Sequence, residues 1–312
     1  MEDDRGLPMR KFLPLITIAA VLAGLLPIAG WVAGSFWFAD LFNHFQVQYA
    51  WFLALCLLPL LIAKQWKSAA LAGALLLVPL VQLAPWFVGA TEIAGGTGSI
   101  RLCSFNVLAS NGRFADTIAW VRESSPDAVF FTEVNDNWSD ELKALEDEYP
   151  HWINEGPDFA FFSKLPILSR SADRVSSHSY PILRVRLETA GGPVTYIAGH
   201  PLPPVTEHWA RSMDIFMAET AKYVEAEPGR VVVAGDFNSS RWSFKSQPLV
   251  KAGLIEAAKG RSPGPTWKRL NPIFGIPIDR MLYRGAGFGC RSFEIGPDLG
   301  SDHRPVTGVF IW

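Results

Sequence analysis

The chain has 312 residues, more than a single hydrophobic core of about 250–300 residues normally takes up, so one large domain plus a further segment is expected. A net charge of −2 and a pI near 6.3, without a Lys/Arg-rich run, speak against nucleic acid as the partner, because nucleic-acid binding leaves a basic footprint. Hydrophobic residues reach 49% and the mean hydropathy is +0.16, with the excess concentrated before residue 90, which excludes an ordinary wholly soluble enzyme.

Taken in chain order, the first elements are three uncharged apolar stretches, Phe12–Phe38, Val47–Ala63 and Ser68–Ala90. Each is close to the length of about 20 residues that a helix needs to cross the hydrocarbon of a bilayer. They predict three transmembrane helices (about 12–38, 47–63 and 68–90) within a membrane anchor spanning residues 1–90. Pro27, Pro59 and Pro79 are tolerable inside them because neighbouring helices can satisfy the freed backbone groups. A cleaved signal peptide would account for the first stretch but not for the next two. Arg5, Arg10 and Lys11 precede the first helix, Lys64 and Lys67 lie between the second and third, and the connection Ala39–Gln46 has neither Lys nor Arg. The positive-inside rule then puts the amino terminus in the cytoplasm and everything after Ala90 outside.

A Gly-rich tether, TEIAGGTGS, occupies residues 91–99 and marks a domain boundary, with the second domain at 100–312. Short β-rich runs alternate there with helical patterns. The runs are IRLCSFNVL, DAVFFTEV, FAFFSK, ILRVRLET, VTYIAGH, RVVVAGDF, IDRMLY, CRSFEI and PVTGVFIW; helices are predicted near Phe114–Glu123, Ser139–Asp147 and His208–Glu225. This is an α/β or α+β sandwich whose loops carry the site. Cys103 and Cys290 fall on strands of the outer domain, where a disulfide is permitted but free thiols are expected, and Cys56 falls in the second helix.

Several strands stay apolar until their last residues and then deliver an acid, amide or imidazole: Asn106, Glu133, His200, then Asp236 and Asn238, with Asp302 and His303 closing the series before the last strand. A lone Asp or Asn after a strand is most often a turn former, because its side chain bonds local backbone. As a set the chemistry is coherent. Glu133, Asp236 and Asp302 are hard oxygen ligands of the kind Mg²⁺ prefers, Asn106 and Asn238 can donate to phosphate oxygens without adding negative charge, and His200 and His303 can move protons near neutral pH. No zinc-type Cys/His spacing occurs.

The motifs FNV, TEV, GHP, GDFN, IDR and GSDHRPV, in this order from about Ile100 to Trp312, resemble the endonuclease/exonuclease/phosphatase superfamily. The stretch GDFNSSRWSFKSQPL with GPTW and PIDRML is similar, more narrowly, to its membrane-anchored bacterial branch, which includes VanJ and YafD-like proteins. The resemblance implies a four-layer αββα sandwich of DNase I-like type behind the three helices. It implies Glu133 as the main metal ligand with Asn106 beside it and Asp302 in support, and Mg²⁺ as the cofactor with Mn²⁺ as the alternative. Asp236 would orient or deprotonate the attacking water, Asn238 and His200 would hold the scissile phosphate, and His303 would be general base or charge stabiliser with Asp279 fixing its tautomer. Thr266 and Trp267 would support the phosphate side of the cleft. Relatives in the branch carry His where this chain has Arg280, so a cationic side chain is expected at the site's edge, and no second acid to orient His200 can be found in the sequence.

Three further histidines, His151, His178 and His208, match no motif, and Trp242 and Phe244 are expected in the core, with an apolar rim for a lipid as the other reading. The branch resemblance implies a multi-pass protein of the bacterial inner membrane with a periplasmic or extracellular catalytic domain. The expected activity is hydrolysis of a lipid-linked phosphate or pyrophosphate such as undecaprenyl pyrophosphate. A phospholipase C- or sphingomyelinase-like phosphodiesterase and an external nuclease are the alternatives, nucleic acid is disfavoured as partner, and the oligomeric state is left open.

Overall fold

The computed structural model describes residues 10–89, 96, 98–154, 157–176, 179–261, 264–268 and 272–312, so His178 and most of the 91–99 tether lie outside the described residues. The chain forms two compact units: residues up to Pro85 together with Trp242–Phe244, and Trp86–Arg241 with Lys245–Trp312.

The first unit is built on helices α1 (Leu13–Ala33), α2 (Trp37–Asp40), α3 (Gln46–Ile62) and α4 (Trp66–Leu83). The stretch predicted as one helix over 12–38 breaks after Ala33 at Gly34–Ser35, and three segments, Leu13–Ala33, Trp37–Ile62 and Trp66–Trp86, are long and apolar enough to cross a membrane. Small residues set their packing: Ala20, Ala69 and Ala72 are buried, and a Cβ on Gly24 would run into the Leu75 side chain. Their outward faces carry Leu15, Ile18, Leu22, Trp31, Trp51, Leu55 and Leu77 exposed, an apolar surface suited to lipid rather than water.

Trp242 and Phe244 are not in the core of the second domain. The Trp242 indole donates to the Gln82 carbonyl at 3.2 Å, and Phe244 packs where Gly34 leaves room for its ring. Asp40, buried in this unit, accepts hydrogen bonds from Asn43 Nδ2 (3.0 Å), Ser243 Oγ (2.6 Å) and the Phe244 amide (2.8 Å). A buried carboxylate is tolerated only when its lone pairs are used in this way.

In the second unit one six-stranded sheet holds β1 (Ser99–Asn106), β2 (Ala128–Val134), β3 (His151–Ile153) and β4 (Asp158–Ser163). The other holds β5 (Ile167–Asp173), β6 (Ile182–Leu187), β7 (Val194–Ala198), β8 (Arg230–Asp236), β9 (Ile255–Glu256) and β10 (Asp279–Arg284). Strands β11 (Gly289–Ile295) and β12 (Val306–Ile311) return to the first sheet, giving orders β11-β12-β1-β2-β4-β3 and β5-β6-β7-β8-β10-β9. Helices α5 (Phe114–Ser124) and α6 (Asp136–Leu142) cover the first sheet; α7 (Glu207–Ala226) and α8 (Gln247–Lys251) cover the second.

The four layers follow from strands apolar on both faces. In β2, Ala128 and Phe130 point into the core between the sheets, with Phe161, Tyr196, Met281 and Phe310, while Val129 and Phe131 pack under the helices with Val121 and Trp138. In β8, Val232 and Ala234 join the central core, and Val231 and Val233 meet Met213, Phe216 and Met217 of α7. Such strands read as continuous hydrophobic runs because both sides are covered, and each buried Phe or Val contributes about 1.5–3 kcal/mol. Asn135 and Thr206 cap α6 and α7 through the Trp138 and Trp209 amides, which starts α6 at Asp136, ahead of the predicted Ser139. The strands absent from the sequence reading, β3, β5 and β9, are all sheet edges. The three cysteines are free and buried.

Candidate active site

Strand polarity brings the polar residues together. Strands β1 and β2 run parallel, as do β7 and β8, while β10 is antiparallel to β8 and β12 to β1. The ends of β1, β2, β7 and β8 therefore meet the starts of β10 and β12, and Asp279 pairs in register with Asp236. Asn106 and Asp236 are the last residues of their strands, His200 follows β7 and His303 precedes β12.

Local backbone aims these side chains. Gly235 has φ +149°, and a Cβ there would strike the Gly199 carbonyl oxygen, so only glycine lets the ends of β7 and β8 approach and set His200 beside Asp236. Glu133 and Asn238 are non-glycine residues at φ +58° and +47°, each a cost of about 1–3 kcal/mol that clusters at functional sites. A register shift between Thr132 and Val134 against β4 re-aims Glu133.

Asp236 is the hub. Its Oδ2 lies 3.0 Å from Asn106 Nδ2, 3.3 Å from His200 Nε2 and 3.5 Å from His303 Nε2, and its Oδ1 accepts the Asn238 amide at 2.9 Å. Asn106 Nδ2 also donates to Glu133 Oε1 at 2.8 Å. Asn106 thus holds the two acids together, and it would have to turn its amide over to offer a metal its oxygen. His303 Nδ1 sits 2.9 and 3.1 Å from the Asp279 carboxylate oxygens. Asp279 is fixed in turn: the Thr266 hydroxyl accepts the Ile278 and Asp279 amides at 3.1 and 2.9 Å. Ser301 Oγ donates to the Asn106 carbonyl and accepts the His303 amide, tying the final loop to β1.

His200 has no acidic partner on Nδ1 among the described residues. The Thr132 hydroxyl shares a hydrogen bond with it at 2.9 Å, and Tyr180 stacks on its ring at 4.8 Å and 3°. Nε2 faces Asn238 Nδ2 at 3.0 Å as well as Asp236; a proton there favours the acid, a lone pair the amide. The other Asn238 amide hydrogen reaches the Pro201 carbonyl. Thr132 was hidden in the sequence because a hydroxyl inside an apolar strand reads as β-propensity, and Tyr180 because it lies far from any motif.

Burial by itself pushes the His303 imidazole down, but the Asp279 and Asp236 carboxylates more than reverse this and raise it to about 10. Burial would likewise raise Asp236, yet His303 and His200 hold it well below the carboxylate range. Burial lifts Asp279, against the pull of His303, and the proton the pair shares rests on the imidazole.

Two groups could hold a metal: Glu133, His200 and Asp236, and Asp236, Asp279 and His303, each with ligand atoms within 4.8 Å of one another. The first fits a divalent cation better, since it combines two carboxylates with the more accessible side chain of Glu133, 28% exposed. The second is buried, and its imidazole is already taken by Asp279. Asp302 belongs to neither; its Oδ2 accepts the Trp267 indole N–H at 3.0 Å. Thr266 is buried, and by accepting the Ile278 and Asp279 amides its hydroxyl braces Asp279.

Arg280 does not stand at the site's edge. Successive strand residues face opposite ways, so with Asp279 turned to His303, Arg280 is driven to the other face, where it is 1% exposed and paired with Glu256. His151 lies half-buried on β3 and His208 is exposed on α7.

The model of the Endonuclease/Exonuclease/phosphatase family matches residues 103–303. No curated protein matches. Among solved structures, D. rerio TDP2 complexed with a single-strand DNA product is 14% identical, with a TM-score of 0.57, covering 69% of this chain and 100% of that one. An endonuclease/exonuclease/phosphatase from Beutenbergia cavernae is 17% identical with a TM-score of 0.57, covering 68% of this chain and 71% of that one. A family protein from Bacteroides thetaiotaomicron is 14% identical at a TM-score of 0.54, covering 69% and 98%. At these identities the likeness is one of fold, the DNase I-like pair of mixed sheets with flanking helices.

Proposed function

Because the chain belongs to the endonuclease/exonuclease/phosphatase family and is a metal-dependent phosphoester hydrolase, we propose that it is a Mg²⁺-dependent enzyme of the bacterial inner membrane acting on lipid-linked phosphate or pyrophosphate. The observation that carries the substrate reading is the combination of this site with three membrane-length apolar helices in a chain of net charge −2. A membrane tether raises the effective concentration of bilayer substrates, while the charge offers nothing to a polyanion. In this reading the amino terminus is cytoplasmic and the catalytic domain lies on the outer face.

Glu133, with Asp236 and Asn106 behind it, would hold the cation, which when bound supplies Lewis-acid stabilisation of phosphoryl charge. Asp236, held ionised by His303 and His200, orients the attacking water. His303, held cationic by Asp279, stabilises the charge that builds on phosphorus-bound oxygen rather than serving as base. Asn238 and His200 orient the scissile phosphate by exchanging their mutual hydrogen bond for bonds to it.

The test is phosphate release from undecaprenyl pyrophosphate by full-length protein in detergent, with and without Mg²⁺, beside His303→Ala. Metal-dependent release lost in the variant is expected. Absence of release, with folded protein, overturns the lipid pyrophosphate and turns the search to phosphodiester lipids and then to nucleic acid.

A further inference from the structure

Arg280 is among the largest fully buried side chains of the second unit, and the chemistry above does not use it. Its Nε donates to Glu256 Oε1 at 2.8 Å, and Nη2 reaches the same oxygen. Nη1 then bonds two points on another segment: the Ser246 hydroxyl at 2.7 Å and the Ser239 carbonyl at 3.3 Å. The guanidinium lies 5.4 Å from the centre of the Phe237 ring. Ser239 directly follows Asn238, whose left-handed φ of +47° needs outside support. Between Ser239 and Ser246 the chain departs from the unit, since Trp242–Phe244 belong to the other one.

A buried ion pair is a poor source of stability, because desolvation offsets the attraction. This one is not even fully satisfied: Glu256 Oε2 and Ser239 Oγ are buried without a partner among the described residues. What the pair achieves is geometric. One planar fork is anchored by an acid and pins both ends of the excursion, from the residue after the Asp279 that fixes His303.

We propose that Arg280 is a positioning residue of the active site: by clamping the Ser239 carbonyl and the Ser246 hydroxyl it fixes Asn238 on the phosphate side. This rests on the phosphohydrolase reading of the site. Lysine cannot replace it, since one ammonium cannot span Glu256 and both serine groups.

The experiment uses full-length protein in detergent with Mg²⁺ and the soluble diester bis(p-nitrophenyl) phosphate, comparing Arg280→Lys, Arg280→Met and the pair Arg280→Met with Glu256→Gln. Hydrogen–deuterium exchange over residues 237–247 is measured on every protein. The expected result is a fall in kcat of about 10²-fold in each variant, as for an ångström-scale misplacement, with faster exchange confined to that segment. The double variant removes both charges of the pair and so lacks the clamp, and its thermal unfolding is measured beside the wild type because Glu256 also attracts the Arg241 guanidinium. Recovery of wild-type kcat and exchange in the double variant would show that Arg280 only neutralises Glu256, and would overturn the proposal. So would unchanged kcat in Arg280→Met. Should the wild type leave the diester intact but release phosphate from undecaprenyl pyrophosphate, kcat is read on the pyrophosphate instead; release from neither overturns the phosphohydrolase reading, and exchange in Arg280→Met then decides the clamp alone, unchanged exchange refuting it and faster exchange upholding it.

Discussion

Three residues, Asp279, His303 and Asp236, form a line in which an imidazolium sits between two carboxylates. His303 is raised from an ordinary 6.5 to about 10, so its share of stability is complete below about 6.5 and is lost as pH climbs through about 10. Asp236 runs the other way: its contribution is present above the ordinary carboxylate value and fades as acid protonates it. The melting temperature of metal-free protein should fall steadily as pH rises from about 6.5 and level off above about 10. Asp279→Asn should move that alkaline limb toward neutrality and cut kcat by about 10²–10⁴-fold, the range for groups that fix a catalytic imidazole. Thermal unfolding against pH and NMR titration of the histidines check both; a limb that stays in place would show that Asp279 does not hold the proton. His200 is built differently, with the Thr132 hydroxyl rather than an acid on Nδ1 and Tyr180 against its face.

At the level of elements, the site depends on β7 and β8 closing at their ends. Gly235→Ala would force a Cβ against the Gly199 carbonyl at a φ that alanine resists. The expected loss is about 1–3 kcal/mol of stability, with activity falling more steeply because His200 and Asp236 separate. Chemical unfolding beside steady-state kinetics checks this, and a variant of wild-type stability would show that the approach of the two strands is not tight. Central strands such as β2 and β8, buried on both faces, announce themselves as apolar runs. The edge strand β5 does not: Ile167–Asp173 reads ILSRSAD, and its pairing with β6 is a tertiary matter.

The molecule as a whole joins a three-helix unit, long and apolar enough for a bilayer, to a family domain that hydrolyses phosphoesters. The proposed outward orientation has a direct test, helped by native cysteines that are all buried. In intact cells an impermeant maleimide should label a cysteine placed at exposed Asp140 and spare one placed at exposed Lys67. Labelling in the reverse order would invert the topology and move the substrate to the inner leaflet.

Hydropathy was enough to predict the three apolar helices, because these depend on burial, while the four-layer sandwich and the convergence of Asn106, Glu133, His200, Asp236 and His303 were implied by the motifs shared with the family. Partners joined across long separations were decided by tertiary structure alone. Thr132 meets His200, Trp267 takes Asp302, Arg280 turns from the site to clamp Ser239 and Ser246, and Trp242–Phe244 leave one unit for the other. The reason is physical: a periodic pattern says which face a side chain must hide, but the hydrogen bond it finds there is set by packing between elements far apart in sequence.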